Sequence, residues 1–93
     1  MDKFRMKSKP STTVDAFRLG IEYAPDWFEQ ATKSKKVWAV CYGDEPSVDI
    51  VTPDGIIHVE FSDYIIRYED GSLDACKMEY FYEIYESENY KEN

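Results

Sequence analysis

The chain has 93 residues, 43% of them hydrophobic and 16% aromatic, and a formal net charge of −8 at pH 7. This is enough for one core and too little for two, and a domain near this size buries only about 60–65% of its unfolded surface, which leaves little room for a deep, pre-organised active site. The apolar content excludes a disordered chain, no apolar run approaches the roughly 20 residues that span a bilayer, and the N-terminus lacks the apolar stretch of a signal peptide.

At the N-terminus Lys3, Arg5, Lys7 and Lys9 alternate with Phe4, Met6, Ser8 and Pro10. In a strand the four cations share one face, which reads as a sheet edge guarded by lysines or, alternatively, as an anion site. The segment from Thr12 to Leu19 is rich in β-formers and follows a proline, so it is expected to be a strand. From Ala24, the run Pro25, Asp26, Trp27, Phe28, Glu29, Gln30, Ala31 places proline at a first helical position, acids in the first turn and Lys33, Lys35 and Lys36 at the far end. That order matches a helix dipole, and Trp27, Phe28 and Ala31 fall on one face to pack on a sheet.

Beyond this helix the pattern changes to short β-rich runs between turn residues. Val37 to Tyr42 ends at Gly43-Asp44-Glu45-Pro46, and a hairpin follows, Val48 to Thr52 and Ile56 to Phe61, joined by Pro53-Asp54-Gly55. Ile57, Val59 and Phe61 alternate with His58 and Glu60, giving one buried and one wet face. Tyr64 to Tyr68 is a further strand that Glu69-Asp70-Gly71 turns into Ser72 to Cys76. Lys77 to Phe81 suits one helical turn, before a last run through Tyr82, Ile84 and Tyr85. The sum is an α+β domain over residues 1–86, one helix packed on a mainly antiparallel, twisted sheet of five to six strands, followed by a frayed acidic tail at 87–93.

The charge is unevenly spread. Through Lys36 eight cations face five acids, whereas the remainder sets fourteen of the nineteen acids against Arg67, Lys77 and Lys91, for nets of +3 and −11. Acids on this scale solubilise any small domain; they also steer a protein towards a basic surface, such as the nucleic-acid channel of another protein. Tyrosine serves both readings, as strand former and as interface anchor. Direct binding of DNA or RNA by this half is disfavoured by phosphate repulsion.

Residues with chemical potential are few. His58, the single histidine, falls on the wet face of its strand without a partner for nucleophilic or metal chemistry. The pairs Asp44/Glu45 and Glu69/Asp70 lie in turns, where carboxylates stay solvated, and no calcium loop is present. Cys76 beside Lys77 reads as an inert core thiol rather than an activated one, and Cys41 and Cys76 lie in no metal-ligand spacing, so both are expected to be reduced in an intracellular protein. With four glycines scattered through turns there is no phosphate loop and no dinucleotide fingerprint. No catalytic, metal or cofactor residue is assigned.

Taken together, Lys7-Ser8-Lys9-Pro10 with Val14-Asp15-Ala16-Phe17, then Pro25-Asp26-Trp27-Phe28, then Asp63-Tyr64-Ile65-Ile66-Arg67, Gly71, Cys76-Lys77 and Phe81 with Tyr85-Glu86 resemble a family. It is the small phage and prophage protein family with a Pro-Gly-Asp-Tyr or Pro-Gly-Asp-Trp signature, and the resemblance spans nearly the whole chain. Phe61-Ser62 replaces the family's Pro-Gly, and Leu73-Asp74-Ala75 stands where an aromatic-proline pair precedes the cysteine, so the turn before Tyr64 is expected to differ. The resemblance implies an accessory protein acting in the cytoplasm of a bacterial host, with no catalytic residues to carry over.

The leading expectation is a non-enzymatic inhibitor that binds a basic host defence factor, a CRISPR nuclease for example, through acidic mimicry of nucleic acid. Its contact residues would be Asp44, Glu45, Asp49, Asp54, Glu69, Asp70 and Asp74, with Tyr68 as aromatic anchor. One alternative is a protein that sequesters a signalling nucleotide on the basic arm with Arg18 or Arg67. Another is a minor virion or assembly component.

Overall fold

The computed structural model describes residues 3–40 and 44–88. Along the chain run β1 (Lys3–Met6), β2 (Lys9–Arg18), α1 (Asp26–Lys33), β3 (Val37–Val40), β4 (Ser47–Thr52), β5 (Gly55–Val59), β6 (Tyr64–Tyr68), β7 (Leu73–Cys76), α2 (Met78–Ile84) and β8 (Tyr85–Ser87). Every strand pairing is antiparallel. The fold is α+β, with the strands divided between a five-stranded sheet in the order β7-β6-β2-β1-β8 and a three-stranded sheet in the order β3-β4-β5.

Side-chain alternation explains why the larger sheet is covered on both faces. On β2, Val14 and Ala16 point one way and Phe17 the other; on β6, Tyr64 and Ile66 oppose Ile65 in the same manner. Phe17 and Ile65 share a core with Trp27 and Ala31 of α1 and with Val37, Val48, Ile50 and Val59 of the smaller sheet. The opposite face carries a second core in which Val14, Ala16, Tyr64 and Ile66 meet Phe81 of α2 and Tyr85 of β8. Two covers on one sheet bury apolar residues at successive positions of β6, which a single helix could not do.

The second cover corrects the expectation for the C-terminal region. Tyr82 and Ile84 belong to α2, not to a strand, and only Tyr85 onward pairs with β1. Two long-range contacts hold this short helix. Phe81 is fully buried and stacks on Tyr64 at 3.7 Å between ring centroids, and the Asp63 carboxylate accepts the Met78 N–H at 3.1 Å. A carboxylate there satisfies an amide that the helix leaves unpaired and meets the positive end of its dipole. Ser87, assigned above to the tail, is in β8, and the Glu88 N–H donates to the Lys3 carbonyl at 2.9 Å. The rest of that tail, like Cys41, Tyr42 and Gly43, lies outside the described residues.

The first helix behaves as its sequence indicates. Trp27 and Ala31 are buried and Phe28 packs beside them. At its end Lys36 N–H donates to the Ala31 carbonyl and Lys35 N–H to that of Thr32, while Lys35 adopts φ 64°. This is a Schellman ending with lysine where glycine is usual.

The N-terminal arm is not an edge. β1 is flanked by β2 and β8, and Lys3 and Arg5 point outward from it, while Lys7 lies in the turn and Lys9 opens β2. The guarded-edge reading therefore fails for β1, because its outer side is closed by the C-terminus of the same chain.

Candidate interaction surface

The structure does not bring the eight expected contact residues together. Asp44 and Glu45 are exposed on the segment entering β4. Asp54 is at the tip of the β4–β5 hairpin, at the far end of the small sheet. Asp49, midway along β4, pairs with His58 across the strands at 2.7 Å on the solvent face, so the histidine has a partner that the sequence did not indicate.

Glu69 and Asp70 form the β6–β7 turn. Glu69 accepts from the Thr13 hydroxyl, and Asp70 accepts both the Ser72 N–H and hydroxyl, which holds its carboxyl below the usual carboxylate range. Next to this turn Gly71 shares a shallow hollow with Ser34 and Lys36 at the end of α1. Tyr68 is half-buried against the second core, and its hydroxyl donates to Asp74 at 2.9 Å. Burial first, and this hydrogen bond second, push the phenol up. Both groups of that pair are engaged with each other.

A different gathering of acids forms around Asp44 and Glu45. Glu45 lines a hollow of about 320 Å³ with Pro46, Ser47, His58, Glu60 and Phe61. Gly20 is pressed beneath the same wall: at φ 79°, a Cβ on it would stand 2.6 Å from the Phe61 ring and 3.0 Å from Pro46. No other residue fits that approach. The glycine sets the start of the loop from Ile21 to Pro25 against Pro46 and Phe61. Ile21 is exposed there, Tyr23 fully so, and a cleft of about 590 Å³ between this loop and β2 has Glu22 and Asp26 as its charged lining.

Electrostatically this end is unbalanced. Asp44, Glu45 and Glu60 have no ion-pair partner among the described residues. The nearby Lys77 is held by Asp63 at 3.1 Å, and its ammonium pKa is pushed up by Asp63 first, with Glu60 and Glu79 adding to the effect. Arg18 donates to the Ser62 carbonyl at 3.0 Å, lies over the Tyr64 ring and touches the Met78 sulfur, while Glu22 accepts its backbone N–H. Glu60 escapes a sequence reading because nothing local marks it; the fold places it with Glu45 around one hollow.

Most of the cations that a phosphate ligand would need are already engaged, Lys9 excepted. Lys3 and Arg67 both pair with Asp15, at 3.5 and 3.6 Å, Arg5 pairs with Glu86 at 2.6 Å, and Lys7 donates to the Tyr82 carbonyl. Cys76 is half-buried, and burial, then Asp74 and Asp63, push its thiol up, away from the reactive thiolate. Among the described residues no helix is long and apolar enough to cross a membrane.

Ser62, in the turn before Tyr64, takes φ 72°, in the left-handed region that glycine adopts most easily. Compared with known proteins, the chain matches no family model, and no curated protein or solved structure is significantly similar to it.

Proposed function

We infer that this protein works by binding rather than catalysis, docking its acidic end on a basic surface of another protein. The observation that carries the reading is the gathering of Asp44, Glu45 and Glu60 without cation partners among the described residues, in a molecule whose Arg5 and Arg67 pair elsewhere. Unpaired surface carboxylates attract a cationic surface over a Debye length of about 10 Å. The phage-type resemblance suggests the setting. The partner would be a nucleic-acid-handling defence factor in the cytoplasm of a bacterial host, a CRISPR nuclease for example, inhibited because the acidic end occupies a channel meant for nucleic acid.

The test is affinity capture from host lysate with two triple variants, followed by titration of the purified partner. Asp44→Lys/Glu45→Lys/Glu60→Lys should abolish binding and its salt dependence, whereas Asp54→Lys/Glu69→Lys/Asp70→Lys, in the β4–β5 and β6–β7 turns, should weaken it by less than about tenfold. Unchanged affinity in the first variant overturns the reading.

A further inference from the structure

Four strands have a neighbour on one side only: β7 and β8 at the borders of the larger sheet, and β3 and β5 at those of the smaller. Backbone bonding decides what each offers. In the small sheet the Val51 N–H donates to the Lys36 carbonyl at 2.8 Å, so residues 49 and 51 bond towards β3 and residues 48, 50 and 52 towards β5. Their β5 partners are Val59, Ile57 and Gly55. Ile56 and His58 therefore turn both N–H and C=O away from the sheet, and among the described residues no backbone group meets them.

The other borders are closed by three separate devices. On β7 the outward residues are Leu73 and Ala75, because Tyr68 N–H donates to the Ser72 carbonyl, and the Ala75 N–H is taken by the Asp74 carboxylate at 2.8 Å. β8 is three residues long, and Tyr85, which faces outward, is buried. β3 lies beside α1, with Val37 buried between them. On β5, by contrast, Ile56 is 67% exposed, His58 is exposed, and no lysine or proline interrupts Gly55–Val59. Proteins usually blunt such an edge.

Charge selects what can cover it. Exposed Asp54 precedes the strand and exposed Glu60 follows it. If two copies paired antiparallel about Ile57, Asp54 of each would fall opposite Glu60 of the other, and like charges directly opposite are destabilising. The net charge of −8 on each chain opposes the same association. An extended segment with cations at its ends meets attraction at both places. We propose that β5 is an addition site for an extended segment of a partner protein, with basic residues flanking a short apolar or β-branched stretch, which lengthens the three-stranded sheet by one strand. The flanking cations rest on the basic-partner reading above; the open edge does not.

The probe is the synthetic peptide acetyl-Lys-Thr-Val-Thr-Val-Thr-Lys-amide, whose lysines fall opposite Glu60 and Asp54 when its valines pair with His58 and Ile56, with a copy N-methylated at both valines as control. Titration followed by amide exchange should slow the Ile56 and His58 amides by about tenfold or more, and the methylated copy should have no such effect. His58→Pro removes an outward donor while sparing every backbone bond to β4 and should weaken peptide binding by about tenfold; His58→Thr, which like the proline variant loses the imidazole contact with Asp49 but keeps the outward N–H, should bind like the parent. Absence of binding, equal binding of the methylated copy, or protection arising at β7 or β8 overturns the proposal. So does protection that grows with protein concentration without peptide, since it marks a second copy. If the peptide fails while the Asp44/Glu45/Glu60 reversal still abolishes partner capture, strand addition alone is wrong. If the peptide binds and the reversal has no effect, the acidic-end reading alone is wrong.

Discussion

In the five-stranded sheet three cations are answered across the strands, Arg5 by Glu86 and both Lys3 and Arg67 by Asp15. In the three-stranded sheet the one such pair is Asp49 with His58, and the carboxylates of residues 44, 45 and 60 beside it form none among the described residues. Burial divides the same way. The larger sheet hides side chains on both faces, whereas the smaller hides one face and turns Trp38, Val51, Ile56 and His58 to water. The larger sheet thus holds more of the core and more of the ion pairs, and the smaller one carries the surface that the proposed docking would use.

The strongest way to break this comparison is by truncation. Ile65→Ala in β6, where Ile65 is fully buried, should cost about 3–4 kcal/mol, while Ile56→Ala on the open strand should cost less than about 0.5 kcal/mol. Urea unfolding with an unchanged m-value measures both, and similar losses would mean that β5 is part of the core after all. Next is the turn between β5 and β6. Asp63→Ala strips the cap of α2 and the partner of Lys77, and should cost about 1–3 kcal/mol with loss of α2 helicity by amide exchange.

Alkaline pH separates the regions through their tyrosines. Burial raises the phenol pKa values of Tyr64, Tyr68 and Tyr85, all on the larger sheet, and Asp63 raises that of the Lys77 ammonium. All four groups hold their protons longer folded than unfolded, so the folded state binds more protons above the unfolded values of about 10. Stability should be level below that pH and fall as pH rises through it, with the three phenols ionising only on unfolding. Ultraviolet difference titration checks this, and early ionisation of all three would break it. The smallest effects sharpen the two positive-φ sites: Lys35→Gly beside the small sheet and Ser62→Gly at the junction should each stabilise by about 0.5–1 kcal/mol, read as a rise in Tm.

Much of the fold was legible from local pattern. The helix from Asp26, the strand Tyr64–Tyr68 and the hairpin turned by Pro53-Asp54 all occur where their residues indicate. The C-terminal helix was only half legible, since Tyr80, Tyr82 and Ile84 are exposed and give no apolar stripe, and Phe81 finds its place only against Tyr64. The acidic contact set was legible as composition but not as a surface. Turns far apart in sequence carry Asp44, Asp54 and Asp70, and local pattern contains no distances between turns.

By itself the sequence determined which segments extend, which coils into α1, and that fourteen of the nineteen acids lie after residue 36. These are properties of neighbouring residues, set by periodicity, turn chemistry and charge count. Tertiary structure alone decided which charges are cancelled, as when Arg5 meets Glu86 across 81 positions, and which remain open around Glu45 and Glu60. It also decided that Tyr68 turns inward while Tyr23 stands in water. The reason is that an ion pair or a buried ring depends on distance in space, which strand order fixes and residue order does not.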